Sequence, residues 1–350
     1  GVVCHRFSAE SGSPLSSVRL RRLIRRIDPD VICCHYGLGD HFFNVIAINH
    51  CPVAVIAMGS DVMHLMGDHH LSPTVRLLSR MGLRRAERIS AKSHFLAAEL
   101  GELGVESPVD VNYWGCDLRR FSPGSRAAAR DRLGLPPDAP IVLSPRSIQP
   151  LYNLHQIVEA FPAVLRRWPD ALLVVIGRSE PEYHAGVARR LDELGMGARV
   201  RFGGLLKEAE LPDYYRASDV VVSMAGSEGF PNTLLEVMAC NIPVLAGDIP
   251  QVRELLADGV NATLCPIQVP AIEAGLLAVL GDPVRASRLA TPARQTALEY
   301  GDISQNGQRW AGRLRELAAR GRPRDTPSVW AYRLALRAYQ VARTLGLRGV

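Results

Sequence analysis

The stretch SEGFPNTLLE, Ser227 to Glu236, holds two glutamates eight positions apart with Gly, Phe, Pro and Asn between them. It follows DVVVSM, an apolar run that reads as a buried strand. From Asn232 or Thr233 it becomes helical, through Leu234, Leu235, Val237 and Met238. Gly229 can take backbone angles closed to other residues, and Pro231 has a fixed φ and no N–H, so both suit a loop or a first helical turn. The helix start therefore offers free N–H groups at the end of a strand, a setting that favours an anion and above all phosphate. Carboxylates beside a phosphate site are repelled by it, so Glu228 and Glu236 need another target. Sugar and ribose hydroxyls fit, because an ionised carboxylate accepts two hydroxyl donors and fixes a ring. The spacing alone would equally suit a helix cap at Glu228 and a solvated residue at Glu236. Its place after a buried strand, with Gly-Phe-Pro-Asn inserted, favours the ligand.

Strand-length apolar runs alternate with helical patterns along almost the whole chain, which points to βαβ units and parallel sheets. In the first half, Val2–Val3–Cys4 reads as a strand and Ser13 as a helix cap. The helix that follows carries Leu20, Leu23, Ile24 and Ile27 on one face. Strands are expected over DVICCHY, VAVIAM and RISAKS, a helix over about 74–86, and VDVNYWGCD closes this half. RRFSPGSR and GLPPDAP break the rhythm, so 122–140 reads as the passage between domains, with a short helix at about 126–133. A second cycle runs from IVLSPR through ALLVVIG, VRFGG, DVVVSM and IPVLAGD to ATLCPI, with helices between, PQVRELLAD among them. Loops at the carboxyl ends of such strands are where open α/β sheets bind ligands. Pro323 and Pro327 bracket a polar linker. The tail helix after it places Trp330, Leu334, Val341 and Leu345 near one face, suited either to packing back on the protein or to lying on a membrane surface.

The 350 residues suit two domains, and 47% hydrophobic with 22% charged residues is ordinary for a folded chain with a large core. The net charge of +6 comes almost wholly from arginine, Lys92 and Lys207 being the only lysines. The arginines are dispersed and lack interleaved aromatics, which argues against nucleic-acid binding. They allow a mild attraction for anionic lipids or sugar phosphates. Seven cysteines show no metal-type spacing; Cys33 and Cys34 sit in an apolar run and read as small core residues. An odd, unpatterned count fits a reducing compartment. His69 and His70 lie in a polar loop without a third ligand, and no metal site is expected. No run of about 18 apolar residues is present to cross a membrane, and no secretory leader is recognised.

Several segments together resemble the retaining glycosyltransferases of family 4 (glycosyl transferase group 1). SEGFPNTLLEVMACNIPVLAGD looks like the family's block with two glutamates and the strand after it. NYWGCDLRRFSPG is similar to its Gly-x-Asp-x-x-x-Phe segment, DPDVICCHYG and VAVIAMGSDV to strands of its first domain, and SPRSIQPLYNLHQIVEAF to the first strand and helix of its second. The resemblance covers nearly the whole chain, to about Gly312. It implies an α/β protein of GT-B fold, two Rossmann-like doubly wound parallel-sheet domains facing across a cleft. The expected divisions are residues 1–121, an acceptor-side domain lacking its first strand; 122–312, the nucleotide-sugar domain; and 313–350, a linker and amphipathic helix. The first strand and its glycine-rich loop are expected upstream of this sequence.

The resemblance also implies roles. Glu236 matches the glutamate that holds the nucleotide ribose, and Glu228 the one that meets the donor sugar. The backbone of Gly229, Phe230, Asn232 and Thr233 would lie against sugar and diphosphate. Arg146 matches the arginine that neutralises the diphosphate, a planar, bidentate task suited to a guanidinium. The family's lysine a few residues later is replaced by Tyr152-Asn153, where a phenol could hydrogen-bond phosphate without adding charge. Met58-Gly59-Ser60-Asp61 stands where many members have His-Gly before the aspartate, leaving Asp61 to meet donor sugar or acceptor. Arg146, Glu228 and Asp61 are thus the expected catalytic residues, and Glu236, Gly229, Phe230, Asn232, Thr233, Tyr152 and Asn153 the donor contacts.

The expected reaction moves a sugar from a nucleotide-diphosphate donor to a glycan, lipid or small-molecule acceptor with retention, in cell-envelope polysaccharide or glycolipid synthesis. No cofactor and no obligatory metal are implied, and the expected place is the cytoplasm, at the inner face of the plasma membrane. Two other readings remain open at this point, a sugar-nucleotide 2-epimerase of the same architecture and a non-catalytic sugar-nucleotide-binding protein. The first would need acid/base groups at a sugar carbon, and the expected loop has no histidine.

Overall fold

The computed structural model describes residues 14–67, 71–323 and 325–344, with side chains from Ser17 onward. The expected strand at Val2–Cys4, the cap at Ser13, and His69, His70 and Leu345 lie outside the described residues. By its contacts the chain forms two compact units, Gly1–Asn112 with Gly307–Val350, and Tyr113–Asn306.

The first unit runs α1 (Pro14–Ile27), β1 (Ile32–His35), α2 (Asp40–Ile48), β2 (Val53–Ala57), α3 (Ser60–Met66), α4 (Pro73–Leu83), β3 (Arg88–Ala91), α5 (His94–Glu102) and β4 (Val109–Val111). Its four strands pair in parallel in the order β1-β2-β3-β4. Every residue of β2 is buried, as a parallel strand covered on both faces requires. Ser72 and Ser93 cap α4 and α5, accepting from Val75 N–H at 3.3 Å and Leu96 N–H at 3.0 Å.

The second unit contains α6 (Arg126–Leu133), β5 (Ile141–Ser144), α7 (Leu154–Arg167), β6 (Leu172–Ile176), α8 (Pro181–Glu193), β7 (Val200–Gly204), α9 (Leu211–Ala217), β8 (Val220–Ser223), α10 (Asn232–Ala239), β9 (Val244–Gly247), α11 (Pro250–Arg253), β10 (Thr263–Cys265), α12 (Val269–Gly281) and α13 (Pro283–Tyr300). Its parallel strands run β10-β9-β8-β5-β6-β7. The chain builds outward from β5 to one edge, then returns to place β8 on the other side of β5, Val142 and Leu143 opposite Val220 and Val221. The strand order reverses between β5 and β8, so the loops leaving these two strands diverge and open a crevice at their carboxyl ends. Arg146 leaves β5, and Ser227–Glu228 leave β8.

The passage into this unit lies earlier than expected. Residues 113–121 already pack with it: Phe121 and Cys116 are buried in its core. Cys116 N–H donates to Gly301 O at 2.9 Å. Gly115 has φ +85°, and a Cβ there would stand 2.0 Å from Gly301 O, so no side chain fits. The contact boundary therefore falls at 112/113 rather than at 122.

Within α14 (Ile303–Ala318) the chain returns to the first unit, and α15 (Pro327–Thr344) follows. Asp110 of β4 pairs with Arg313 and with Arg88, each at 3.2 Å. The tail helix packs on the protein, but on another face than the expected one. Val329, Tyr332, Leu336 and Tyr339 are buried, the last three in the same core as Phe42, Phe43 and Leu78. Their spacing of three, four and three is a helical stripe. Arg333 Nε donates to Ala47 O at 2.8 Å, at the carboxyl end of α2. Trp330, Leu334 and Val341 instead face outward at 63%, 71% and 56% exposure.

This orientation sets a test. Leu336→Ala is expected to cost about 2–5 kcal/mol of unfolding free energy, and Leu334→Ala less than about 0.5 kcal/mol, in denaturant melts of the two variants. A larger loss from Leu334→Ala than from Leu336→Ala would mean the helix packs by its other face.

Candidate functional site

Two loops make the site in the second unit, and their backbones are tied together. After β5 the chain passes Arg146, makes a 3₁₀ turn over Pro150–Tyr152 and enters α7 through Asn153, whose φ of 50° is left-handed. Asn tolerates that conformation better than most residues. Asn153 Nδ2 donates to Met224 O at 2.9 Å, and Gly226 N–H to Leu151 O at 2.9 Å, so the β5 and β8 loops hold each other. Gly177, after β6, has φ +137°, and a Cβ there would meet the Arg146 backbone at 3.0 Å. The absence of that atom lets the β6 loop support Arg146 from behind.

Arg146 is the centre of the arrangement. One terminal nitrogen forms an ion pair with Glu228 Oε1, and the other donates to Thr233 Oγ1 at 3.1 Å. Its guanidinium carbon lies 4.2 Å from the centre of the Tyr152 ring. Such a contact favours the cation by about 0.5–2 kcal/mol, more as water is excluded. The Arg146 and Glu228 side chains are only 11% and 13% exposed. Arg146 Nε and Asn232 Oδ1 are buried without a hydrogen-bond partner among the described residues. A buried donor and acceptor left unpaired cost free energy that a ligand's polar atoms could recover.

Asn232 and Thr233 begin α10, and Pro231, at the capping position, supplies no side-chain cap. Leu234 N–H donates to Pro231 O at 2.9 Å, so it is the N–H groups of Asn232 and Thr233 that keep their capacity for an anion. Gly229 is buried, and Phe230 is 1% exposed, its ring edge-on to Tyr113 at 5.2 Å between centres. Phe230 therefore anchors the loop in the core, leaving its backbone as the only part that could meet a ligand.

Glu236 lies one turn into α10 and is held separately. Tyr215 of α9 donates its hydroxyl to Glu236 Oε2 at 2.6 Å. Burial pushes the Glu236 carboxyl up to about 7, while the Tyr215 hydrogen bond pulls it back and the charge of Glu208 adds to the rise. Burial and the facing carboxylate raise the Tyr215 phenol well above its usual range, so it stays a donor. No motif singles out Tyr215, which sits in a short helix twenty-one positions before its partner.

Asp61, in the first unit, is fully buried. Its Oδ2 accepts from Gly37 N–H at 2.7 Å, and its Oδ1 from Met58 and Gly59 N–H at 2.9 Å each. Burial raises its pKa, and the backbone donors oppose the rise. The carboxylate thus clamps the β1–α2 loop to the β2–α3 loop, with both oxygens engaged by these N–H donors. The structure thus brings Arg146, Glu228, Thr233 and Tyr152 into one contact set, with Asn153 behind them and Glu236 along the same helix.

The profile of glycosyl transferases group 1 matches residues 125–296, and that of glycosyltransferase family 4 matches residues 2–120. A D-inositol 3-phosphate glycosyltransferase of Kribbella flavida is 31% identical over 78% of this chain and 68% of its own. D-inositol 3-phosphate glycosyltransferase 2 of Catenulispora acidiphila is 32% identical over 71% of this chain and 58% of its own. The chain thus spans between half and about two thirds of the length of these relatives. Anabaena HepE, crystallised in complex with UDP, aligns at a TM-score of 0.74 and 18% identity over 87% of this chain and 82% of that one. The two parallel-sheet Rossmann-like domains define a GT-B fold. The chain belongs to the family 4 glycosyltransferases, glycosyl transferases group 1.

The Glu236 environment predicts a pH dependence of stability. Its folded pKa of about 7 exceeds the ordinary 4.5, so the folded chain holds a proton that the unfolded chain has released in this window. Stability from this group is greatest below pH 4.5, falls as pH rises toward 7, and stays lower above; a shift of this size corresponds to at most about 3 kcal/mol. Glu236→Gln is therefore expected to melt above wild type at pH 8 and level with it at pH 4.5. Parallel melting curves across this range would contradict the assignment.

Proposed function

We propose that this chain carries the catalytic machinery of a retaining glycosyltransferase that takes a sugar from a nucleoside diphosphate donor. The observation that carries the reading is the Arg146 guanidinium held beside Thr233 at the uncapped start of α10, between the two loops of the strand-order reversal. A guanidinium and a helix start, fixed in advance, are what a departing diphosphate needs as its charge develops. Arg146 takes the diphosphate, Glu228 the hydroxyls of the transferred sugar, and Glu236 the ribose. Tyr152 holds the guanidinium in place, and the backbone of Gly229, Phe230, Asn232 and Thr233 lines the sugar and diphosphate. In the free protein Glu228 neutralises Arg146. Donor entry exchanges that partner: the diphosphate takes the guanidinium and Glu228 turns to the sugar.

Uridine is the base we propose first, because the HepE complex contains UDP. For the acceptor, the names of the inositol phosphate glycosyltransferases support a small phosphorylated polyol within the wider class of glycan, lipid or small-molecule acceptors. The proposed setting is cell-envelope glycoconjugate synthesis at the inner face of the plasma membrane. The contact proposed there is peripheral; no described helix is long and apolar enough to cross a membrane. No obligatory metal is proposed, since the guanidinium and helix start are assigned the charge. Asp61 is assigned a positioning role in the first unit.

Release of nucleoside diphosphate from a panel of donors, with acceptors present, tests these roles. Arg146→Ala is expected to lower kcat by about 10²–10³-fold, and Glu236→Ala to raise the donor KM with a smaller change in kcat. Glu228→Gln is expected to bind free nucleoside diphosphate more tightly than wild type, since the guanidinium loses its competing carboxylate, and yet to transfer more slowly. Wild-type kinetics in all three variants would sink the proposal.

A further inference from the structure

The first unit carries a basic groove that the transfer site does not use. α1 holds Arg19, Arg21, Arg22, Arg25 and Arg26, and α15 holds Arg333, Arg337 and Arg343; neither helix contains an Asp or Glu. Both pack against α2, and a polar junction sets their spacing. Ser17 Oγ donates to Asn44 Oδ1 at 2.6 Å, and Gln340 Nε2 donates to Ser17 Oγ at 2.9 Å. Asn44 Nδ2 in turn donates to Asp40 O at 2.7 Å, so the junction is internally satisfied. Above it lies a cavity of about 270 Å³ lined by Val18, Arg21, Ile48, Arg333 and Arg337 among others. A neighbouring cavity of about 330 Å³ shares Arg21, Ile48 and Arg333 with it and adds Arg25 and Arg322.

The charges here are not balanced. Arg333 pairs with Asp325 at 2.7 Å, Arg343 with Asp40 at 2.9 Å, and Arg322 with Asp28. Arg21, Arg25 and Arg337 have no ion-pair or hydrogen-bond partner among the described residues. Burial first, and then Arg25, Arg333 and Arg337, lower the Arg21 pKa, with Asp325 opposing the fall. Beside the groove, Trp330, Leu334 and Val341 of α15 and Val18 of α1 are exposed, and Arg333 lies 5.1 Å from the Trp330 ring centre. A soluble anion would use the guanidiniums and gain nothing from these apolar side chains. A bilayer surface uses both: phosphates meet the arginines, while Trp and aliphatic residues sit at headgroup depth.

We propose that the groove between α1 and α15 binds the phosphate of an anionic lipid headgroup, with Trp330, Leu334 and Val341 seated in the interfacial layer. This gives the peripheral membrane contact of the proposed function a specific surface. It is read by vesicle binding, which does not depend on transfer, so the two can fail separately.

The test is co-sedimentation of the full chain with vesicles of phosphatidylcholine, with or without one third phosphatidylglycerol, at physiological salt. Wild type is expected to partition at least about a hundredfold more strongly onto the anionic vesicles. Arg21→Gln, Arg25→Gln and Arg337→Gln combined should reduce that partition by on the order of a hundredfold, at about fivefold per arginine. Trp330→Ser with Leu334→Ser should also weaken it, and Arg189→Gln, on exposed α8, should leave it unchanged. The triple variant should melt at or above wild type, because its repulsion is relieved; a lower melting point counts against the cluster. Equal binding to both vesicle types, or full binding by the triple variant, overturns the proposal. So does stabilisation by inorganic phosphate without vesicle recruitment, which would make the groove a site for a soluble anion.

Discussion

The candidate site in the second unit is organised around the cation of Arg146. Arg146 is almost removed from water and meets a carboxylate, a hydroxyl and an aromatic face at once. A buried ion pair is no guarantee of stability, because desolvation can exceed the Coulomb gain. On the proposed function its value lies in direction: the guanidinium is held where the diphosphate would arrive, so little reorganisation remains for the moment of reaction. Much nearby structure keeps it there. The reversal between β5 and β8 brings the two loops side by side, Asn153 ties them, and Gly177 leaves room for the Arg146 backbone.

The two glutamates follow different rules because their surroundings differ. Glu228 is charge-paired with Arg146, whereas Glu236 faces a phenol and has its pKa pushed up to about 7 by burial. A ribose presenting hydroxyl donors favours the ionised form of Glu236. On the proposed reading, donor binding near neutral pH therefore releases a fraction of a proton from this side chain. An acid/base pair would need one carboxyl poised against the other across a reacting carbon, and here one is engaged by a guanidinium and the other by a phenol.

The strand-to-helix logic of the second unit was legible because parallel strands buried on both faces announce themselves as short apolar runs, and the loops after them follow. Arg146, Glu228, Thr233 and Tyr152 could be named from the sequence; that the Tyr152 ring covers the guanidinium could not, since a loop's turn geometry decides it. Tyr215 was hidden because its role depends on α9 packing beside α10, a tertiary fact. The three backbone donors that hold Asp61 could not be named, because burial by backbone N–H groups leaves no mark in a sequence. α15 misled: Tyr332 and Tyr339 are amphipathic and look polar in a pattern, while the more apolar Trp330 and Leu334 face outward. The helical reading PQVRELLAD shrinks to Pro250–Arg253, where Asn261 accepts from Ala257 N–H and donates to Leu255 O, giving the backbone another partner.

The central claim is that Glu236 and Arg146 hold the two halves of one nucleoside diphosphate. The most direct measurement is a calorimetric comparison of a nucleoside diphosphate with its 2′,3′-dideoxy analogue, on wild type and on Glu236→Gln. The account predicts that removing the ribose hydroxyls weakens binding to wild type by about tenfold or more, with little further loss on the variant, because the two changes remove the same contact. Equal losses on both proteins would mean that Glu236 does not meet the ribose and would contradict the account.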